Sequence, residues 1–473
     1  MRNASSLIET EAAPLNENID PGLRRLTWIL VVGALAPLLD TTVVNVALAT
    51  LNRELRAPVT TVQWVVTAYL LALGMTIPVT GWLVGRFGGK RMWMLSLALF
   101  LAGSLLSGAA WNAGSLIVFR VLQGAGAGLL QPILVTLIVQ AAGPRRLGRI
   151  MATATLPGVV VPIFGPVLGG LIVDHASWRW IFFVNAPICA AALLLAWRRV
   201  PSSPAEGGER RLDVLGLALL SPGLASIIYG LAGMTGRGGF ASGSVLVPAA
   251  IGLALVGAFV VHALRTHGVP LVDVRVLRVR SYAAAVVVLF LAGLSLYGPL
   301  LLFALYCQQV LGRSALWAGL LLAPQGLGSL LPRTLVGRLT DRIGPRPVVL
   351  AGMALTVLGT VAFALAGRTT SELLLAGSLV VRGAGLGSAT IAVIAGAFAS
   401  VPRDEVPDAS STTRIVQQVG GSFGAAALAV ILAGQVASLG LAGAFDVAFW
   451  WAIGFGVLAV LPALLLPGAR PAP

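Results

Sequence analysis

The residue in this sequence best placed to do chemistry is a single carboxylate inside a long apolar run. Asp40 sits in the stretch from about Leu26 to Leu51, which is long enough to cross a bilayer. Of the 17 acidic residues it alone lies well inside such a run. An ionised side chain at membrane depth costs on the order of several kcal/mol, so such a residue faces a cavity and carries function. The chemistry open to it is reversible protonation, or pairing with a cation. The rival reading puts the carboxylate near a helix end, reaching the headgroups. At about 1.5 Å per residue, Asp40 is far from either end of its run. Thr41 and Asn45 are four residues apart, share a face about 100° round from Asp40, and would line the same cavity.

Further polar residues recur at helical spacing in other apolar runs. Arg120, Gln123, Ala127 and Gln131 form one stripe, interleaved with Gly124, Gly126 and Gly128. An arginine at such a depth needs a partner or water, unless it snorkels to the near surface. Trp64 and Tyr69 are either cavity-lining or, for Trp64, an interfacial anchor. Arg382 precedes Gly383, Gly385 and Gly387 as a weaker echo of Arg120. Arg414 shares a polar face with Gln417 and Gln418. His175, His262 and His267 fall near run ends or in loops, which argues against a histidine proton shuttle. Cys189 and Cys307 lie in apolar runs, with neither a disulfide framework nor a metal-type spacing.

The elements that must hold these residues follow from composition. The chain is 57% hydrophobic and 10% charged, with mean hydropathy +0.93, where a soluble domain carries about 25% charged residues. The apolar runs are about twenty residues long and do not alternate, which excludes a β-barrel. The fold class is therefore all-α and polytopic. A net charge of +15 would suggest nucleic acid in a soluble protein. Here the arginines lie between apolar runs, so the charge encodes topology. The lipid bilayer is the expected partner, and nucleic acid is not.

Fourteen apolar runs can be read from the sequence. With a cytoplasmic N-terminus, most of the 32 basic residues fall on the cytoplasmic side. Arg53, Arg56, Arg179, Arg237, Arg313 and Arg368 fall opposite, so both termini are expected in the cytoplasm. Two polar linkers, 198–213 and 265–281, flank two runs. The expected organisation is a tail (1–25), a six-helix bundle (26–197), linkers with two extra helices (198–281), a second six-helix bundle (282–467) and a short tail (468–473).

Two loops repeat each other. One reads Gly81-Trp82-Leu83-Val84-Gly85-Arg86-Phe87-Gly88-Gly89-Lys90. The other reads Gly337-Arg338-Leu339-Thr340-Asp341-Arg342-Ile343-Gly344-Pro345-Arg346. Both fit Gly-x-Leu-x-x-Arg-x-Gly-x-Lys/Arg in one register. Repeated bundles of this kind are built around a midplane substrate site.

On these loops the chain resembles the major facilitator superfamily. Leu39-Asp40-x-Thr42-Val43-Val44-Asn45-Val46-Ala47-Leu48, together with Gln63–Leu70 and Trp178–Pro187, resembles its fourteen-span drug:proton antiporter branch (EmrB/QacA-type). The resemblance implies the major facilitator fold, with two six-helix bundles plus two inserted helices. It implies a monomeric, non-enzymatic exporter of amphiphilic, mainly cationic compounds in a bacterial cytoplasmic (inner) membrane, with protons as coupling ion and no other cofactor. Asp40, Asn45, Arg120 and Gln123 would then serve coupling and substrate. Thr41, Trp64, Tyr69, Gln131 and Gln417 would line the cavity. The loop residues Gly81, Arg86, Gly88, Lys90, Asp341 and Arg342 would gate, with Arg382 and Arg414. The segment Gly158 to Gly170, with Pro162, Gly165, Pro166 and Gly169, resembles the branch's antiporter motif and would supply close packing and bends. The family's loop aspartate is Gly85 here, and a family proline and glycine are Ala49 and Val161. An exporter of an endogenous metabolite or lipid fits the same fold. A membrane sensor or enzyme is the more distant alternative, since no nucleophile or metal motif appears.

Overall fold

The computed structural model describes residues 20–57, 59–142, 147–154, 161, 164–165, 168–169, 171–173, 175–201, 212–233, 243–266, 270–313, 315–367, 370–399, 401–402 and 405–468. Helices dominate them, because an apolar run in lipid satisfies its own backbone only by coiling.

The first half begins with α1 (Pro21–Glu54), where Asp20 accepts a hydrogen bond from the Leu23 amide and Pro21 fits the first turn. It continues through α2 (Val59–Thr76), α3 (Thr80–Phe87), α4 (Gly89–Gly108), α5 (Ala113–Ala142), α6 (Leu147–Ala154), α7 (Trp180–Phe183) and α8 (Asn185–Arg199). An inserted pair follows, α9 (Val214–Gly233) and α10 (Gly243–Arg265). The second half comprises α11 (Arg280–Gln309), α12 (Ala315–Leu330), α13 (Arg333–Ile343), α14 (Pro345–Ala364), α15 (Glu372–Ala399), α16 (Val406–Leu458) and α17 (Val460–Ala463).

Among the described residues, nine helices are long and apolar enough to cross a membrane, or ten if the bent pair of α2 and α3 is one span. The sequence count of fourteen is not reproduced one for one. Part of the fifth run lies outside the described residues. The second run breaks by 55° between Thr76 and Thr80, and the tenth between Leu330 and Arg333. The last two runs form one continuous element, kinked where Gly440 takes φ 70°.

The repeated loops adopt one conformation. The first ends α3 at Gly88, with φ 84°, and the second ends α13 at Gly344, with φ 83°. Both angles lie in the region that glycine alone occupies cheaply. A 20-residue helix then follows in each half.

The inserted pair bridges the halves. Ser221 donates to the Met75 carbonyl at 2.7 Å, and Ile227 and Val245 pack with Ala426 of α16. One apolar cluster unites both halves at the end that carries the arginine-rich loops. Its members include Leu26, Trp93 and Ile150 from the first half, with Tyr282, Val349 and Ala392 from the second. At the opposite end the halves keep separate cores, one around Val44, Leu116 and Phe182 and the other around Phe303, Phe363 and Phe449. Among the described residues, the halves share a core at the basic-loop end and keep separate cores at the other.

Candidate functional site

Asp40 and Arg120 meet in the interior of the first half, each 1% exposed. The Arg120 Nη1 donates to Asp40 Oδ2 in a short ion pair. The same nitrogen reaches Gln123 Oε1 at 2.7 Å, and Arg120 Nε donates to the Val65 carbonyl at 3.0 Å. Gln123 Nε2 donates to Asp40 Oδ1 at 2.9 Å, and Asn185 Nδ2 approaches the same oxygen at 3.4 Å. Ser104 closes the ring, accepting from Gln123 at 3.1 Å and Asn185 at 3.0 Å while donating to the Phe182 carbonyl at 2.8 Å. The guanidinium lies 4.0 Å from the Tyr69 ring centre, and the Tyr69 hydroxyl donates to the Pro37 carbonyl at 3.3 Å. Six helices, α1, α2, α4, α5, α7 and α8, thus each contribute a group.

Glycines set this geometry. A Cβ on Gly103 would stand 2.5 Å from the Gln123 amide nitrogen, so only glycine lets α4 and α5 approach closely enough for Ser104 to reach Gln123. A Cβ on Gly165 would collide with Thr42 Oγ1, and one on Gly169 would lie 3.2 Å from Val43 Cα. The antiporter-like segment therefore presses on α1 beside Asp40. Its other named residues, Gly158, Pro162, Pro166 and Gly170, lie outside the described residues, as does the Asn45 side chain.

The other expected site residues divide. Arg120 is fully engaged in the interior and does not snorkel. Thr41 bonds its own helix, at the Leu38 carbonyl, 2.7 Å away. Trp64 is exposed and stacks on Tyr229 of the inserted pair at 5.9 Å, a consequence of α9 packing along α2. Tyr69 is buried under Arg120 rather than lining an open cavity. Gln131 and Gln417 are half-buried, and Gln417 accepts from Arg414 at 3.4 Å. Ser104 and Asn185 were not expected. Asn185 lies in the stretch that carried the family resemblance, whereas Ser104 gives no sequence signal of its own.

The loops join the halves. Gly81 lies against Asp408, whose Oδ1 would overlap a Cβ placed there. An acid from α16 thus approaches the loop whose own acid is missing at Gly85. Arg86 and Arg342 are exposed and Asp341 is half-buried. Lys90 donates to the Trp197 carbonyl at 2.9 Å. From the second copy, Arg333 Nε donates to the Ala152 carbonyl of α6 at 2.7 Å.

Arg382 does not echo Arg120 in space. A Cβ on Gly359 would stand 2.5 Å from the Arg382 amide, just as one on Gly103 would from Gln123. Gly383 abuts the Gln325 carbonyl as Gly124 abuts that of Tyr69. Arg382 therefore takes the place of Gln123, and Leu379 that of Arg120. The Arg–Gly spacing suggested otherwise because the two sequences slip by a turn between loop and helix.

Residues 30–425 match the family described as Major Facilitator Superfamily. The chain belongs to the Major Facilitator Superfamily. Among its relatives, a Multidrug resistance protein B homolog of Mycobacterium tuberculosis is 38% identical over 89% of this chain and 78% of its own. The Multidrug export protein EmrB of Haemophilus influenzae is 35% identical over 68% of this chain and 63% of its own. Among solved structures, a double-tryptophan mutant of XylE superposes with TM-score 0.68 over 95% of this chain and 97% of that one, at 17% identity. That last likeness speaks for the major facilitator fold alone. As a member of this superfamily the chain is a multi-pass membrane transporter and not an enzyme.

Proposed function

We propose that this major facilitator protein is a proton-coupled multidrug exporter, moving amphiphilic small molecules across the cytoplasmic membrane by alternating access, with both termini inside. The observation that carries the reading is the buried Asp40–Arg120 pair. A proton on Asp40 removes the charge that holds Arg120. A buried guanidinium without its counter-charge is costly by several kcal/mol, on the order of 3–5, so protonation and movement of the surrounding helices are linked. The relatives' names support a multidrug range, and the arginine bias supports the orientation.

The geometry lends no support to a preference for cations. Both oxygens of the carboxylate are engaged by Arg120, Gln123 and Asn185, so a cationic substrate must displace a guanidinium to reach them. The test is substrate-driven proton movement in proteoliposomes. Wild type should couple the two fluxes and Asp40→Asn should not. Coupled transport by Asp40→Asn at the wild-type rate overturns the assignment.

A further inference from the structure

Among the described residues, the second half holds a buried cation with no counter-charge. Arg382 is 0% exposed, and among the described residues no carboxylate pairs with it. Its Nη1 donates to Gln325 Oε1 at 2.6 Å, and its Nη2 donates to the Ser295 carbonyl. The Phe303 ring centre lies 4.9 Å from the guanidinium carbon. Two polar atoms in this cluster have no partner, Arg382 Nε and the Ser295 hydroxyl.

The first half shows what is missing. In the register that carries Gly81 onto Gly337, Tyr69 falls on Gln325 and Asp40 falls within one residue of Ser295. The carboxylate position of the first half is thus neutral in the second, while the neutral Gln123 position carries the guanidinium. A desolvated arginine held only by neutral acceptors is far costlier than a paired one. Orphaned buried donors beside it mark a place for an ion that completes them.

We propose that Arg382, Gln325 and Ser295 form an anion site, which receives one negatively charged group during the transport cycle: the carboxylate of an amphiphilic substrate or an inorganic monovalent anion. The chemistry is shared by both sources. Arg382 Nε and the Ser295 hydroxyl donate to the anion, and the amide of Gln325 turns to present its N–H groups once its oxygen is released. Arginine suits the task because its fork of donors matches a carboxylate. The halves would then be complementary: Asp40 answers to a proton and Arg382 to an anion. This deepens the exporter reading and rests on it for the substrate, though not for the site.

The experiment uses the full chain in detergent for binding and in proteoliposomes for transport. The probes are an amphiphilic aryl carboxylate, its methyl ester, and chloride titrated into chloride-free buffer. Either anion should raise the Tm of wild type, and the ester should not. Arg382→Gln removes the cation. Gln325→Glu supplies a fixed counter-charge that stands in for the anion, so this variant should fold at least as well as wild type and still bind the anion at least about tenfold more weakly, a loss of about 1.4 kcal/mol or more. Chloride that competes with the carboxylate places both in one site. Equal binding of acid and ester, or anion binding undiminished in Gln325→Glu, overturns the proposal and leaves the exporter reading standing. Anion binding that tracks Arg382 and Gln325, in vesicles that move no probe, overturns the exporter reading and leaves the site.

Discussion

Neither Asp40 nor Arg120 can be removed without stranding the other's charge. Asp40→Asn leaves a guanidinium in a dry interior and should cost about 3–5 kcal/mol, with loss of proton coupling. The double variant Asp40→Asn/Arg120→Gln removes both charges. It should recover most of that stability and still fail to couple, so thermal unfolding and proton-driven transport separate the structural role from the functional one. If the double variant is no more stable than the single one, the pair is not the main determinant of the loss. These two residues, with Gln123, were legible in the sequence because a charge or an amide in an apolar run is rare and needs a reason. Ser104 was not legible, and Asn185 only as part of a family-like stretch, since small polar residues are ordinary in membrane helices and reveal a role only when a neighbour's amide points at them. Trp64 misled for the opposite reason: an amphipathic ring suits an interface, a cavity and a helix–helix stack equally well.

At the scale of the helix, position is set by contacts that only glycine permits. Replacing Gly103 with leucine drives a side chain into the Gln123 backbone, 2.5 Å from the new Cβ. Overpacking of this kind costs roughly 1–3 kcal/mol. It should also separate Ser104 from Gln123, so transport should fall further than Tm alone accounts for. Unchanged transport in a folded Gly103→Leu protein would mean that the Ser104 contact is dispensable.

The inserted pair is held differently. Asp213 stands at the start of α9 and accepts from the Gly216 amide at 2.8 Å and the Leu271 amide at 3.1 Å, and pairs with the His262 ring at 2.9 Å. Burial of Asp213 opposes its ionisation, but these bonds outweigh burial and hold the carboxyl below its usual value of 3.8. A depressed acid stabilises above its unfolded pKa and loses that contribution as pH falls through the folded one. The Tm advantage of wild type over Asp213→Asn should therefore be full above about pH 4 and shrink below it. An advantage that persists to acid would show that the ionised carboxylate is not its source. The existence of this pair was legible from its apolar runs. Its attachment to both halves was not, because the linkers' polar composition says nothing about where the helices between them dock.

The whole molecule adds a constraint that no single element carries. Among the described residues, its halves share one apolar cluster at the basic-loop end and none at the other, so transport between the two sides of the membrane must break the shared cluster. A polar contact inside the basic-loop end reports on the break. The hydroxyls of Thr136, on α5, and Ser410, on α16, stand 2.7 Å apart across the two halves. Sulfur atoms in their place would need to close only to about 2.05 Å to form a disulfide. Thr136→Cys/Ser410→Cys, in a background where the buried Cys189 and Cys307 are replaced by alanine, should crosslink on mild oxidation and stop transport, with recovery on reduction. Binding from the opposite end should survive the crosslink, because the disulfide does not hold that end. The double cysteine protein before oxidation controls for the loss of the Thr136–Ser410 hydrogen bond, worth about 1 kcal/mol. Full turnover by crosslinked protein would mean that transport does not require the basic-loop end to open, and would overturn alternating access by movement of the two halves.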